Sequence, residues 1–298
     1  MKRPVQIIVI LLITALSAAY GQESQIRFDV SCSIDWARGE LTALASYELA
    51  PAGIKLPTGR YIAEETLSEA YPLLVRPYLL SIKADSNSVL GDLVKSGELS
   101  YEELDSLCQE SGKINSSLSA DLTRMTGRFS LLTEKISSLL LRHRRSMEPS
   151  RPLIPAQAAN YTGIIIIADK ELPVHGRMTQ ALLEPCLFPK IWDTNMNLIY
   201  ERNMIEPGSQ RGAQMLTYTA PETVFRPTPS GLEGELAALA GPNPLRIFAR
   251  GVYGINPTDP VIDQYDALQI LSTENNRRLL REGRVVLVLN EGMLKTAF

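Results

Sequence analysis

From Ile26 onward every second residue is apolar: Ile26, Phe28, Val30, Cys32, Ile34 and Trp36, with Arg27, Asp29, Ser31, Ser33 and Asp35 between them. A period of two predicts a strand with one buried face. After Ala37-Arg38-Gly39 the alternation resumes through Leu41, Ala43, Ala45, Tyr47 and Leu49, with Leu44 as the exception among the polar partners. The two runs predict a hairpin. Opposed residues in a hairpin share a face, so both apolar sets must meet. Pairing Trp36 with Leu41, Ile34 with Ala43 and Cys32 with Ala45 achieves this. It leaves an even loop, either Arg38-Gly39 or Ala37 to Glu40. Cys32 then points into the core.

Pro51 to Gly59 reads as a turn-rich connection. From Arg60 to Ile82 the spacing becomes helical, with Ala63, Leu67, Ala70, Leu74, Tyr78 and Ile82 inward. Pro72 and Pro77 inside it predict a kinked or divided helix. Asp85 to Gly112 reads as short helices, one opened by the capping box Ser100-Tyr101-Glu102-Glu103. Leu118, Leu122, Met125, Phe129, Leu132, Ile136, Leu139 and His143 then recur alternately four and three apart. That heptad spacing predicts the longest helix of the chain, with Arg142, Arg144 and Arg145 suited to its C-terminal end. Its seam would serve either a partner's helix or an antiparallel pair within the chain, and three or four heptads are common inside bundles.

Glu148 to Ala159, with Pro149, Pro152 and Pro155, reads as a linker. Beyond it the chain becomes strand-rich. Ile164 to Ala168 is a continuous apolar run, as in a central strand covered on both faces. Leu187 to Asp193 and Asn197 to Glu201 form a predicted hairpin around Thr194-Asn195-Met196. Ala220 to Pro244 is rich in Pro and Gly and reads as a loop, and Leu245 to Val252 as a strand. Asp263 caps a predicted helix from Gln264 to Arg281, which Gly283 stops. Arg284 to Asn290 closes as a last buried strand.

Strands at both ends with helices between them predict an α+β fold rather than regular βαβ units. The expected body spans residues 22–83 and 156–298, with the N-terminal hairpin joining a C-terminal mixed sheet. Residues 84–155 form a helical insertion and Pro-rich linker in this reading.

The first 21 residues read as an export signal: Lys2 and Arg3, an apolar run from Val5 to Leu16, and small residues at Ala19 and Gly21. The run is short for a membrane span, which needs about 20 residues. The expectation is cleavage before Gln22, a periplasmic mature chain and no transmembrane span. Losing Lys2 and Arg3 takes the formal charge from −3 to −5. That acidity argues against a nucleic-acid partner. The rest is long enough for one large core or two small ones. Cys32, Cys108 and Cys186 permit one disulfide without choosing the pair; three buried thiols fit equally well.

The search for chemistry is mostly negative. Only His143 and His175 are available as imidazole bases. His143 continues the heptad seam, and His175 lies in the turn Pro173-Val174-His175-Gly176, with Cys186 its nearest thiol in sequence. Asp193-Thr194-Asn195-Met196-Asn197 resembles the start of a calcium loop. Leu198 and Met204 stand where that loop needs its Gly and Glu, so a hairpin turn is the better reading. Asp259 and Asp263 are the one carboxylate pair worth testing, although both sit at ordinary capping positions. Asn160-Tyr161-Thr162 matches a glycan acceptor. No nucleophile elbow, phosphate-binding glycine loop, CxxC or HExxH motif occurs in the sequence.

Ile34-Asp35-Trp36 with Gly39, Tyr161-Thr162-Gly163-Ile164, Pro189-Lys190-Ile191-Trp192-Asp193 followed by Tyr200, and Arg284 to Leu289 occur in an order that resembles the FlgP-related flagellar accessory lipoproteins of the bacterial envelope. The resemblance covers the N-terminal hairpin and much of Tyr161 to Asn290. It implies a periplasmic or outer-membrane-associated protein without enzymatic activity, some of whose relatives build or support structures around the flagellar motor, and it carries over no catalytic residues; no cofactor or metal is expected. Two departures stand out. No Cys follows the signal to accept a lipid, and Ser81 to Pro155 has no counterpart.

The function expected is therefore that of a non-enzymatic structural or assembly protein that binds other envelope proteins, with the Leu118–Leu139 segment as a candidate contact. The alternatives are an envelope hydrolase built on Asp259, Asp263 or His175, and a small-molecule or glycan-binding module lined by Trp192 and Tyr200.

Overall fold

A computed structural model describes residues 26–298 apart from 112, 209–211 and 226–233. The export signal at residues 1–21 and part of the loop expected over 220–244 lie outside the described residues.

The N-terminal half runs β1 (Phe28–Asp35), β2 (Glu40–Glu48), α1 (Arg60–Leu80), α2 (Leu90–Lys95), α3 (Tyr101–Ser111), β3 (Lys113–Leu118), β4 (Arg124–Leu132) and α4 (Thr133–Leu140). The C-terminal half continues with β5 (Ile164–Ala168), β6 (Leu172–Pro173), β7 (Gln180–Ala181), β8 (Ile191–Asp193), β9 (Leu198–Tyr200), β10 (Thr217–Thr219), α5 (Pro221–Phe225), α6 (Gly234–Ala240), β11 (Leu245–Phe248) and β12 (Gly251–Tyr253). It ends with β13 (Asp259–Ile262), α7 (Gln264–Leu271), α8 (Glu274–Arg281), β14 (Val285–Leu289) and β15 (Lys295–Ala297). Helices and strands in separate antiparallel and mixed sheets make the fold α+β, as expected.

The first sheet has the order β15-β1-β2-β4-β3. The alternating apolar residues of β1 and β2 face inward: Cys32, Ile34, Leu41, Ala43, Ala45 and Tyr47 are buried, while Leu44 is exposed. The hairpin register differs from the expected one by two residues. Ile34 pairs with Leu41, Cys32 with Ala43 and Phe28 with Tyr47, so the loop is Trp36 to Gly39. A shift of two leaves every side chain on its face, because the strand period is two. The pattern had fixed the parity, and the turn chose the register.

α1 lies across the inner face of this sheet. Tyr47 donates its hydroxyl hydrogen to the Ala63 carbonyl at 2.9 Å, and Tyr71 stacks on Phe129 with ring centroids 3.9 Å apart and planes at 3°. The helix is one uninterrupted element despite Pro72 and Pro77. Its buried stripe is Ala63, Leu67, Tyr71, Val75 and Leu79 rather than the expected Ala70, Leu74 and Tyr78.

The long heptad helix is not formed. Leu118 ends β3, Leu122 sits in a turn at φ 57°, Met125 and Phe129 are on β4, and only Ile136 and Leu139 lie on a helix, the short α4. In β4 the buried residues are Met125, Gly127, Phe129 and Leu131, a period of two. Gly127 hid that period, since it does not read as apolar. It is required there: a Cβ at residue 127 would lie 2.4 Å from Leu67 Cδ2 on α1. Residues 113–132 therefore extend the N-terminal sheet, where a helical insertion had been expected. The capping box at the start of α3 is present, with Glu103 accepting from the Ser100 amide at 2.8 Å and Ser100 Oγ from the Glu103 amide at 3.1 Å.

The second sheet is fully parallel, in the order β10-β14-β5-β11. β5 and β14 are buried along their whole length. One face packs Ile165, Ile167, Val286 and Val288 under Val224, Leu236, Leu239 and Ala240 of α5 and α6. The other face joins the main core with Leu279 and Leu280 of α8. Covering both faces is what a parallel sheet needs. The third sheet, β12-β13-β8-β9, contains the expected hairpin, shortened to β8 and β9, with Met196 at φ 60° in its turn.

The single helix expected over 264–281 is two. Asp263 caps α7 by accepting from the Tyr265 amide at 2.9 Å, and Thr273 caps α8 by accepting from the Asn276 amide at 3.1 Å. Asn276 is buried at this break and binds the linker, accepting from the Tyr161 amide at 3.0 Å and donating to the Ala159 and Gln269 carbonyls. The run expected as one strand over 245–252 likewise divides into β11 and β12.

Candidate functional site

The chemistry-bearing residues converge most densely where the two halves meet. The hairpin loop brings Trp36 to this seam. Its amide donates to the Leu294 carbonyl at 2.9 Å and its indole N–H to Thr296 Oγ1 at 3.0 Å. Its ring meets Tyr218 edge-on at 5.9 Å. β15 adds to β1 beside it, pairing Ile34 with Thr296. The strand closest to the end of the sequence is thus hydrogen-bonded to the first strand of the sheet. The N-terminal hairpin joins C-terminal residues as expected, but only through β15; the parallel sheet stays separate.

A second set of bonds ties the turn after α1 to the loops of the C-terminal half. The Leu187 and Phe188 amides donate to the Lys83 and Ala84 carbonyls at 3.0 and 2.9 Å, and the Asn256 amide to the Ser86 carbonyl at 2.9 Å. Lys83 also pairs with Glu184, and Arg202 with Glu98 at 2.6 Å. Gly254, at φ 117°, allows this approach: a Cβ there would lie 2.4 Å from both Ser86 Cβ and the Asn256 oxygen.

Beneath these bonds is a buried polar group. Asp259, fully buried, accepts from the Lys190 amide at 3.0 Å, the Trp192 indole N–H at 3.2 Å and Thr258 Oγ1 at 3.2 Å. Burial pushes its carboxyl above the usual carboxylate range, and the bonds from Lys190 and Trp192 offset part of that effect. Trp192 is half-buried and meets Tyr253 edge-on at 5.6 Å, and the His175 ring also meets Tyr253 edge-on, at 6.1 Å. Cys186 is buried nearby, its amide and carbonyl both bonded to the Tyr218 hydroxyl at 3.0 and 2.8 Å.

The sequence-predicted site residues are thereby dispersed. Asp259 serves the fold beneath Trp192, while Asp263 caps α7 and pairs with Arg250 at 3.8 Å. The Asp266 carboxyl is raised by desolvation first and by Asp263 second. His175 is exposed in its turn, and His143 Nε2 is bonded to the Ile205 carbonyl at 2.8 Å. Asp193 closes its own hairpin turn, accepting from the Asn195 and Asn197 amides at 2.9 and 2.8 Å and from Asn197 Nδ2 at 2.8 Å. Tyr200, proposed as a pocket-lining residue, is fully buried and donates to the Met215 carbonyl at 3.0 Å. Among the described residues no cluster of His, Cys, Asp and Glu is arranged to hold a metal ion.

The cysteines are free and buried. Desolvation pushes Cys32 and Cys108 up to about 12 and raises Cys186 as well. A thiolate is the nucleophilic form, so burial disfavours the reactive state of all three. A cleft on the seam, between Trp36, Glu134, Ser137, Cys186, Gln214 and Tyr218, encloses about 20 Å³. That is room for one water molecule. Sequence reasoning missed the seam roles of Trp36, Lys83 and Tyr218. Trp36 is a large aromatic in the hairpin loop, and Tyr218 sits mid-strand in β10, so only Trp36 carried a local signal.

No helix among the described residues is long and apolar enough to cross a membrane. Residues 27–139 match the family model of the N-terminal domain of Treponema pallidum Tp0624, and residues 163–291 match that of its second domain. The gap between the two matches coincides with the Pro-rich linker. No curated protein matches the chain.

Proposed function

We propose that this chain is a non-enzymatic structural or assembly protein of the cell envelope, a reading supported by its export-signal-like first residues and by the joint between its two halves. In this proposal it is exported by its first 21 residues and works in the periplasm, holding two domains as one rigid unit that other envelope proteins bind. The observation that carries the reading is the seam. Main-chain bonds, an added strand and two ion pairs fix the halves to one another, and Asp259, Asp263 and His143 are each engaged in local folding bonds, while His175 is exposed in its turn. Rigid presentation of surfaces is the use such a joint supports best. The likeness to FlgP-related lipoproteins extends the proposal to a flagellum-associated structure. The partner contact moves from the expected coiled coil, which is not formed, to surfaces on either side of the seam.

Crosslinking in intact cells, followed by purification of the chain under denaturing conditions, tests this. Reproducible recovery of the same envelope proteins is the expected result. Recovery of the chain alone across repeated experiments overturns it.

A further inference from the structure

The linker between the two halves presents an apolar tip. Leu153 and Ile154 are 102% and 84% exposed, and they form a bend flanked by Pro152 and Pro155. The bend is held from both sides. Before it, the Met147 amide donates to the Asn203 carbonyl at 2.7 Å, Glu148 pairs with Arg281, and Pro149 is buried. After it, the Ala156 amide donates to Ser272 Oγ at 2.9 Å and Gln269 Nε2 to the Gln157 carbonyl at 3.3 Å. Two aliphatic side chains are thus fixed pointing into water, where they could readily have turned inward in a slack loop.

The charge around the tip is opposite to that of the chain. Residues 141–160 contain Arg142, Arg144, Arg145 and Arg151 against Glu148, a net +3 in a protein of formal charge −3. Arg144 and Arg145 are exposed, whereas Arg142 pairs with Glu103 at 2.7 Å and Arg151 lies 3.8 Å from Glu274. An anchored aliphatic bend in an arginine-rich stretch of chain matches a lipid surface on both counts. The aliphatic groups enter the boundary between headgroups and acyl chains, and the guanidinium groups meet phosphate oxygens. We propose that Leu153 and Ile154 insert into the interfacial layer of an anionic bilayer, with Arg144 and Arg145 binding its headgroup phosphates. The inference uses the linker alone and goes beyond the scaffold reading.

Sedimentation of protein beginning at Gln22 with lipid vesicles tests it. Vesicles of phosphatidylcholine are compared with vesicles in which about a third of the lipid is phosphatidylglycerol. Binding is expected to the second and not the first, weakening as salt is raised. Leu153→Ser with Ile154→Ser should weaken binding about tenfold, as should Arg144→Gln with Arg145→Gln. Both variants should keep the parent's unfolding temperature, because the substituted side chains are on the surface. Failure to bind either vesicle, equal binding to both, or full binding by the Leu153 and Ile154 variant overturns the proposal. A crosslink from position 153 to an envelope protein, without vesicle binding, assigns the tip to a protein partner instead. Because only purified protein and lipid are present, the result is independent of whether the envelope crosslinking succeeds.

Discussion

Trp36 donates its indole N–H to Thr296 Oγ1 across 260 residues of chain, at 3.0 Å. The bond joins the loop of the first hairpin to the strand that completes its sheet. The same side chain fills the space against Tyr218, so one residue links β1, β15 and the edge of the parallel sheet.

Trp36→Ala should therefore destabilise the protein by about 3–5 kcal/mol, the range for removing a large buried aromatic. Trp36→Phe keeps most of the volume and loses the bond to Thr296, which costs about 1 kcal/mol. Denaturant unfolding followed by circular dichroism measures both. A Trp36→Ala protein as stable as the parent would show that the seam contributes little.

Gly127 of β4 and Leu67 of α1 pack so closely that a Cβ at residue 127 would lie 2.4 Å from Leu67 Cδ2. Gly127→Ala should destabilise by about 1–3 kcal/mol through overpacking. Leu67→Ala alone should cost about 2–5 kcal/mol through the cavity it leaves. The double variant should be less destabilised than the sum, since the new methyl group fills part of the space vacated. Additive losses in the double-mutant cycle would contradict this packing.

Asp259 gives stability a pH dependence of known sign. Its carboxyl is raised in the folded state by burial, against about 3.9 in the unfolded chain. The folded protein thus binds this proton more tightly than the unfolded one. The contribution is full below the unfolded value and is lost as pH rises through the raised folded value. Asp259→Asn removes the titration. The stability of the parent relative to this variant should fall as pH is raised from about 4 toward neutrality, measured by guanidinium unfolding at a series of pH values. A constant difference would mean that the carboxyl is not desolvated.

The three thiols should react only when the chain opens. Cys32, Cys108 and Cys186 are each less than 5% exposed, and desolvation suppresses their thiolates. Titration with an aromatic disulfide reagent at pH about 8 should label them slowly in the native protein and fully in denaturant. Rapid native labelling of Cys186 would return a thiol-based activity to consideration.

The strands with simple signatures were legible in the amino-acid pattern. The alternation from Ile26 to Leu49 placed each side chain of β1 and β2 on its observed face, and the runs at Ile164 and Val285 became buried parallel strands. The capping residues Ser100 and Asp263 also act as their spacing indicated. The segment from Leu118 to His143 misled because side chains three and four apart also fit two strands and a short helix once Gly127 is counted as a buried position. The break at Ser272-Thr273 was passed over although every residue from Ser272 to Arg278 is polar and Thr273 is a good N-cap type, because the flanking apolar pairs at Ile270-Leu271 and Leu279-Leu280 read as one helix. The dispersal of Asp259, Asp263 and His175 had no local signal, since proximity between distant residues is a property of the folded chain.

Local patterning alone determined the α+β class, the parity of the first hairpin and the burial of the central strands. Each follows from side chains that must leave water with a fixed period. Tertiary structure alone decided the hairpin register, the use of residues 113–132 as strands, the strand added by β15 and the joint between the halves. Those features depend on which surfaces meet: a helix approaching closely enough to require Gly127, an edge of β1 open to a strand from far along the chain, and main-chain groups around Lys83 and Ser86 satisfied only by loops of the other half.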